Sequence, residues 1–160
     1  MILGIHHAAI STPDLDRALD FYCNVLGFTV ASRMDWAQGA ALPDTIMGLR
    51  GSAARQAKLR AGNCFLELFE FSSPVPSRPD RGIQDHGITH LCLHVRELAA
   101  EVARLEAAGI RFRSAPQRRA SHASVYGHDP DGNVLELLEV TDDSHPFSFA
   151  TLGPGRDGRP

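Results

Sequence analysis

An internal repeat constrains the fold of this chain more than any other feature. A Gly-Asn turn, followed by an apolar strand with a central glutamate, occurs twice among the 160 residues. It reads G-N-C-F-L-E-L-F-E-F over residues 62–71 and G-N-V-L-E-L-L-E-V over residues 132–140. The two halves also begin alike, with G-I-H-H at residues 4–7 and G-I-T-H at residues 87–90. Because self-similarity is the mark of a repeated structural unit, the sequence predicts two related modules.

The same order of elements is predicted in both halves: a strand, an amphipathic helix that stops at a glycine, and further strands. The first helix is expected to start at Pro13 with Thr12 as its N-cap, since both residue types favour these positions. Gly27 and Gly109 lie where the two helices should end, because glycine readily adopts the left-handed conformation of a helix stop. Each half therefore reads β-α-β-β-β.

Apolar periodicity and turn signals give the bounds of these elements. In the first half they predict a helix over residues 13–26 and strands over residues 2–11, 28–34, 53–60 and 64–71. In the second half they predict a helix over residues 97–108 and strands over residues 87–95, 110–112, 122–128 and 134–140. Two segments remain irregular. Residues 35–52 are expected to be a mobile loop or a short helical turn, and residues 116–120 a basic loop.

Together these elements predict an α+β fold in which two tandem βαβββ modules form a curved mixed sheet around a cleft. The first module is expected to span residues 1–71 and the second residues 86–140. Residues 72–85 contain three prolines and are interpreted as a linker. Residues 141–160, rich in glycine and proline towards the end, are expected to form a loosely packed extension.

Composition narrows the class of function. Charged residues make up 22% and the formal net charge is −3, so neither a nucleic-acid partner nor a membrane surface is expected. The three cysteines are widely spaced and form no C-x-x-C pair, which fits a reducing cytoplasm better than a disulfide scaffold. Met1 leads directly into a strand-like run, so neither a signal peptide nor a membrane span is predicted. A cytoplasmic protein is the expectation.

Histidine and glutamate recur at equivalent positions of the repeat. Leucines flank each central glutamate, so strand alternation places the carboxylate on the opposite face from the leucines. An unpaired carboxylate in an apolar strand costs several kcal/mol, and a cation removes that cost. If the modules pair about a pseudo-twofold axis, four side chains converge in the cleft and predict one divalent metal ion, with Zn, Ni, Co, Mn and Fe all suited to mixed nitrogen and oxygen ligands. These four are His7, Glu67, His90 and Glu136.

Four segments resemble the vicinal oxygen chelate superfamily, which includes glyoxalase I, methylmalonyl-CoA epimerase, extradiol dioxygenases and fosfomycin or bleomycin resistance proteins. They read H-A-A-I-S-T-P-D-L from residue 7, F-Y-C-N-V-L-G-F from residue 21, G-I-T-H-L-C-L-H-V from residue 87, and D-P-D-G-N-V-L-E-L from residue 129. The resemblance covers residues 4–140. Position by position it implies the same four metal ligands, and it also implies a homodimer.

The resemblance implies three different functions. The leading one is a metal-dependent lyase or isomerase that moves a proton next to a carbonyl, as in glyoxalase I or the epimerase, with Glu136 or Glu67 as the base. The first alternative is an Fe(II)-dependent extradiol-type ring-cleavage dioxygenase, in which Glu67 as a fourth ligand would occupy one of three open coordination positions. The second alternative is a non-catalytic drug- or metabolite-binding resistance protein, against which the four aligned ligands argue.

Several further residues are candidates for contact with the substrate. Tyr126 and His122 share one face of a strand and would be hydrogen-bond donors in a dioxygenase-like site. Trp36 would line an apolar part of the pocket together with Met47, whereas core packing is expected for Phe69. Arginines would meet an acidic group of the substrate, and the candidates are Arg50, Arg60, Arg118 and Arg119.

Two more glutamates follow the central ones by three residues. Under strict alternation Glu70 and Glu139 lie on the opposite face from Glu67 and Glu136. They are interpreted as surface residues at the ends of their strands.

Overall fold

The structure is a computed structural model that describes residues 4–77 and 82–152. The chain divides into two compact units, one of which is Ile5–Asp80 and the other Met1–Gly4 together with Arg81–Pro160. Predictions for residues 1–3, 78–81 and 153–160, which concern the first strand, the linker and the C-terminal extension, lie outside the described residues. In the described part, no helix has the length and apolar character needed to cross a lipid bilayer.

The first unit contains four strands and two helices. The elements are β1 (His7–Ser11), α1 (Leu15–Leu19), β2 (Thr29–Trp36), α2 (Ala41–Met47), β3 (Ala53–Ala61) and β4 (Cys64–Ser73). A π-helical turn, Asp20–Val25, follows α1. The four strands form one mixed sheet with the order β1-β4-β3-β2. Strand β1 runs parallel to β4, and the other neighbours are antiparallel.

The second unit repeats this sheet topology. Its elements are β5 (Leu91–His94), α3 (Leu98–Ala107), β6 (Gln117–Arg118), β7 (His122–His128) and β8 (Val134–Val140). The strand order is β5-β8-β7-β6, and β5 is parallel to β8. The prediction of an α+β fold with two βαβββ modules is confirmed. Each module has its own four-stranded sheet.

One face of each sheet carries the apolar core. In the first unit, Leu15 of α1 is buried, as are Leu66 and Leu68 of β4. In the second, the buried residues include Leu98 of α3 and Leu135 of β8. Full burial of one leucine side chain contributes about 1.5–3 kcal/mol. Because the helices cover the leucine face, the glutamates between the leucines are left on the other face of each sheet.

The first helix begins two residues later than predicted. Its N-cap is Asp14, whose Oδ1 accepts a hydrogen bond from the backbone N–H of Arg17 at 3.0 Å. The hydroxyl of Thr12 instead forms hydrogen bonds with the backbone of Asp14. Proline at position 13 thus belongs to the approach to the helix, and the carboxylate that follows it is the stronger cap.

The segment predicted to be irregular, residues 35–52, is more ordered than expected. Strand β2 extends to Trp36, and α2 occupies residues 41–47 before Gly48, whose φ of 66° stops the helix. In the second unit, the predicted strand over residues 110–112 is reduced to a single bridge between Phe112 and Gly127. The fourth strand is β6, inside the segment predicted to be a basic loop.

The prediction that Glu70 and Glu139 are surface residues is wrong, although their face is as predicted. Glu139 Oε1 accepts from the N–H of Leu98, the first residue of α3, at 3.3 Å, and its side chain is only 12% exposed. Glu70 Oε2 accepts from the N–H of Leu15, the first residue of α1, at 3.2 Å. Each carboxylate thus stabilises a helix N-terminus. Each also pairs with an arginine, Glu70 with Arg55 and Glu139 with Arg118.

The described part of the C-terminal extension contacts the second unit through a few side chains, although most of its residues are exposed. Ser148 is 4% exposed, and the ring of Phe149 lies 4.6 Å from that of His94 between centroids. Two further rings of the extension, those of His145 and Phe147, contact His122 on β7. The contacts of residues 141–152 are therefore local, and the expected loose packing stays a prediction.

Candidate metal centre

A histidine and a glutamate meet on the open face of the first unit. Strands β1 and β4 are parallel neighbours, with His7 opposite Phe65 and Ala9 opposite Glu67. His7 and Glu67 therefore lie on one face of the sheet, with one residue pair, Ala8 and Leu66, between them. His7 Nε2 is 3.4 Å from Glu67 Oε2, and Glu67 is only 9% exposed.

The other carboxylate oxygen of Glu67 is held by strand β3. Lys58 lies directly opposite Glu67 in the β3–β4 ladder, and its Nζ is 3.1 Å from Glu67 Oε1. Gln56 Nε2 donates a hydrogen bond to the same oxygen. A cation was expected beside this buried carboxylate, and the ammonium of Lys58 supplies part of the compensating positive charge. Lys58 and Gln56 were not among the predicted site residues, although alternation along β3 places both on this face.

The second unit contains the equivalent pair. His90 Nε2 lies 3.2 Å from Glu136 Oε2. Glu136 sits between Cys92 on β5 and Tyr126 on β7, which are its partners in the two ladders. The ring of Tyr126 packs edge-on against that of His90, with centroids 5.2 Å apart. The structure thus brings three predicted site residues together and adds Cys92.

The two ladder partners of Glu136, Tyr126 and Cys92, are neutral hydrogen-bond donors. Desolvation raises the pKa of Tyr126 above its usual value, and the charge and hydrogen bond of Glu136 raise it further. Desolvation and the charge of Glu136 also raise the pKa of the Cys92 thiol to about 12. Both groups therefore keep their protons at neutral pH. The two glutamates differ in surroundings, because an ammonium holds Glu67 while hydroxyl and thiol groups hold Glu136.

Each His–Glu pair fits a divalent metal ion. Two ligands at roughly 2.0–2.2 Å from a shared ion lie about 3.0–3.4 Å from each other. The nitrogen–oxygen separations of 3.4 Å and 3.2 Å fall at this spacing. Within residues 4–77 and 82–152, no three His, Cys, Asp or Glu side chains form a group that could hold a metal ion. The combination of both pairs in one four-ligand site stays a prediction.

Trp36 lies on the same face of the first sheet as Glu67, in an aromatic cluster. It contacts Phe69 and Phe71 with ring centroids 6.3 and 6.1 Å apart, and these two rings stack at 5.5 Å. The expectation that Phe69 packs in the core is wrong. Phe69 alternates with Leu68 along β4, so its ring points away from α1 and towards the face that carries Glu67.

A hydrogen-bonded chain fixes the indole of Trp36. Its Nε1 donates to the hydroxyl oxygen of Ser52 at 2.9 Å, and Ser52 is fully buried. The carboxylate of Asp44 accepts from the backbone N–H groups of Gly51 at 2.6 Å and Ser52 at 2.9 Å. Asp44, in the middle of α2, thereby ties this helix to the segment before β3. This role is not predicted from the sequence, because it depends on how the 37–52 segment folds back.

Two predicted substrate contacts lie elsewhere. His122 shares a face with Tyr126, but it is four residues away along β7, roughly 13 Å. Its ring contacts His145, and its Nδ1 is buried without a hydrogen-bond partner in the described structure. Arg50 is exposed in the loop before β3. No hydrogen bond or ion pair in the described part links either residue to the two His–Glu pairs.

The sequence profile of the Glyoxalase/Bleomycin resistance protein/Dioxygenase superfamily matches residues 4–137. The chain belongs to this superfamily. The resemblance seen in the four segments is confirmed, and the match covers both βαβββ modules.

Relatives with different activities have similar degrees of identity to this chain. A 2-epi-5-epi-valiolone epimerase from Actinomyces sp is 32% identical over 151 residues, covering 86% of this chain and 80% of its own. A lactoylglutathione lyase from Pseudomonas aeruginosa is 29% identical over 145 residues, covering 85% and 82%. A catechol-2,3-dioxygenase from Bacillus subtilis is 30% identical over 137 residues, covering 83% of this chain but 40% of its own. Relatives at similar identity to this chain thus include an epimerase, a lyase and a dioxygenase.

Solved structures of the superfamily share the fold. A glyoxalase family protein from Bacillus cereus has a TM-score of 0.78 at 20% identity, covering 89% of this chain and 97% of its own. A fosfomycin resistance protein from Listeria monocytogenes, complexed with Mn(II) and sulfate, has a TM-score of 0.58 at 17% identity, covering 88% and 95%. Binding of a divalent metal ion thus occurs within this fold.

The segment that fixes Trp36 is expected to respond to acid through Asp44. Hydrogen bonds from Ser52 and Gly51 lower the pKa of Asp44 below its usual value of 3.8. A depressed folded-state pKa means that the stabilisation is complete above about pH 4 and is lost as the pH falls through the folded-state value. Trp36 is the single tryptophan, so its fluorescence should stay constant from pH 7 to about pH 5 and change below pH 4.

The variant Asp44→Asn should lack this acid transition in Trp36 emission. Asp142→Asn is the matched control, since Asp142 also has a lowered pKa but lies in the other unit. Superimposable titration curves for wild type and Asp44→Asn would contradict the role given to Asp44.

Proposed function

We propose that this protein is a divalent-metal-dependent lyase or isomerase that moves a proton next to a carbonyl group of a small metabolite. The observation that carries the proposal is the pair of histidine and glutamate side chains at equivalent positions of both units, 3.4 and 3.2 Å apart. Lyase and epimerase relatives of similar identity support the same class of reaction. The metal would be Zn, Ni, Co, Mn or Fe.

The residues proposed to hold the metal are His7, Glu67, His90 and Glu136. A divalent ion bound there would polarise a carbonyl oxygen and stabilise negative charge on it. The pairing of each carboxylate with an imidazole keeps both donors in place. The proposal also includes the predicted modules over residues 1–71 and 86–140, a cytoplasmic location and a homodimer.

Glu136 is the proposed base, and Glu67 the fixed ligand. A proton arriving on Glu67 would weaken the ion pair with Lys58, whose Nζ lies 3.1 Å away. Loss of one partner of a poorly solvated ion pair is costly, because the other charge is left without compensation. Glu136 has no lysine opposite it, since its ladder partners Tyr126 and Cys92 are neutral donors, and its contact with His90 has an equivalent in His7 and Glu67. The Tyr126 hydroxyl can also rotate to accept once Glu136 carries a proton.

Metal content tests the ligand set. His90→Ala and Glu136→Ala should each lower the metal bound per chain, measured by elemental analysis after loading and desalting, because each removes one donor of a proposed four. Glu139→Gln is the matched control, since it lies three residues from Glu136 on the same strand but faces α3. Wild-type metal content in both site variants would overturn the proposed site.

The assignment of the base is tested by replacing each glutamate with glutamine. Glu136→Gln should reduce the exchange of the substrate α-hydrogen with D₂O by about 100-fold or more, as expected for loss of a general base. Glu67→Gln should reduce exchange less, because Glu67 only holds the metal. NMR measures exchange on a panel of hydroxy ketones and acyl thioesters, with metal content determined in parallel. A larger loss in Glu67→Gln at equal metal content would reverse the two roles.

One observation favours ring-cleaving dioxygenation as a second candidate. Lys58 and Gln56 together occupy Glu67 Oε1. If Glu67 stays with Lys58, the remaining donors are two histidines and one carboxylate, the set typical of non-haem Fe(II) oxygenases. Oxygen consumption by the Fe(II)-loaded protein with a panel of catechols separates the candidates. Uptake of oxygen with ring cleavage would favour the dioxygenase, and α-hydrogen exchange without oxygen uptake the lyase or isomerase.

A further inference from the structure

The open face of the first sheet changes from polar to aromatic along its strands. Glu67 and Phe69 are alternate residues of β4, so they lie about 7 Å apart on the same face. Across the ladder, Lys58 is opposite Glu67, and Gln56 is opposite Phe69. One residue pair further, Phe71 faces the small side chain of Ala54. From Glu67 and Lys58 towards Phe71, away from the His7–Phe65 pair, the charged side chains of this face give way to aromatic rings.

The aromatic cluster of Trp36, Phe69 and Phe71 is separate from the helix-side core. Helix α1 packs against the opposite face of this sheet, where Leu66 and Leu68 are buried. The three rings are only half-buried, so part of their apolar surface remains accessible. An accessible apolar surface beside a few convergent polar groups is the usual composition of a small-molecule site.

The cluster is also held in place before any ligand arrives. The Trp36 indole is anchored by Ser52, and Phe69 and Phe71 stack on each other at 5.5 Å. A binding surface whose rings are already ordered loses little side-chain entropy when a ligand binds. The small side chain of Ala54, opposite Phe71, leaves the space beside the rings open.

We propose that the aromatic cluster binds the apolar substituent, preferably an aryl group, of a substrate whose carbonyl end lies at His7 and Glu67. This inference rests on the proposed function for the carbonyl end of the substrate. The distance from Glu67 to Phe69, about 7 Å along the strand, suits a ring attached one carbon away from the reacting carbonyl. The ammonium of Lys58 at the polar end complements an acidic or strongly polarised oxygen. The substrate class is therefore an aryl-substituted carbonyl compound or hydroxy acid.

Two probes separate the ring from the rest of the ligand. Mandelate and lactate share a carboxylate and a hydroxyl group, and they differ in carrying a phenyl or a methyl group. With metal-loaded full-length protein, mandelate should bind about tenfold more tightly than lactate in isothermal titration calorimetry, as one added aromatic contact predicts. Mandelate should also change the emission of Trp36, the single tryptophan, and lactate should not.

Phe69→Leu should reduce the tenfold preference to about twofold or less while leaving lactate affinity unchanged. Phe149→Leu is the matched control, because this ring contacts His94 in the other unit. Equal affinity for the two probes, unchanged Trp36 emission with mandelate, or no binding of either would overturn the aromatic subsite. A mandelate preference that survives in metal-free protein would support the subsite while counting against its link to the metal, and metal content of the His90→Ala variant tests that link separately.

Discussion

The organisation of each unit depends on a carboxylate that has little contact with water. Glu67 and Glu136 stand in the middle of strands whose flanking leucines are buried under a helix, so neither side chain can turn to the other face. Desolvation of an ionised carboxylate has to be balanced by hydrogen bonds or by a cation. Neighbouring strands supply hydrogen bonds to both carboxylates and, for Glu67, the ammonium of Lys58. In the candidate site, the negative charge of a carboxylate on one strand is therefore compensated by side chains of the neighbouring strands.

The two faces of each sheet have different tasks, and glutamate serves both. Glu70 and Glu139 lie on the helix side, where each accepts the first N–H of the helix that precedes it in the same unit. Glu67 and Glu136, three residues earlier, lie on the open side. Because residues three apart on a strand lie on opposite faces, one segment of four residues, 67–70 or 136–139, both contacts the helix and presents the candidate ligand. Each of these helices packs on the leucine face of its sheet, so the two glutamates of one strand serve opposite faces.

Much of this arrangement could be predicted, because repeats and strand alternation are local signals. The βαβββ order, the face of each central glutamate and the equivalence of His7 with His90 follow from them. Tertiary contacts supplied the remainder. Glu139 looks like a surface residue until the N-terminus of α3 is seen beside it, and Phe69 looks like a core residue until its face is known. Lys58 carries no motif, and only the register of β3 against β4 places its ammonium on Glu67. Segment 37–52 is irregular in pattern, but a single carboxylate, that of Asp44, organises its end.

Duplication of a module first gives two equivalent half-sites, and chemistry requires that they differ. Here one difference lies at the residue directly opposite the central glutamate, which is Lys58 in the first unit and Tyr126 in the second. A positive neighbour favours a permanently ionised carboxylate, whereas a neutral hydroxyl that can donate or accept is compatible with either protonation state. Under the proposed roles, this difference on a neighbouring strand distinguishes the fixed ligand from the base. The Lys58 ammonium also lies at the polar end of the aromatic cluster, so the residue that pairs with Glu67 is placed to contact the ligand proposed to bind there.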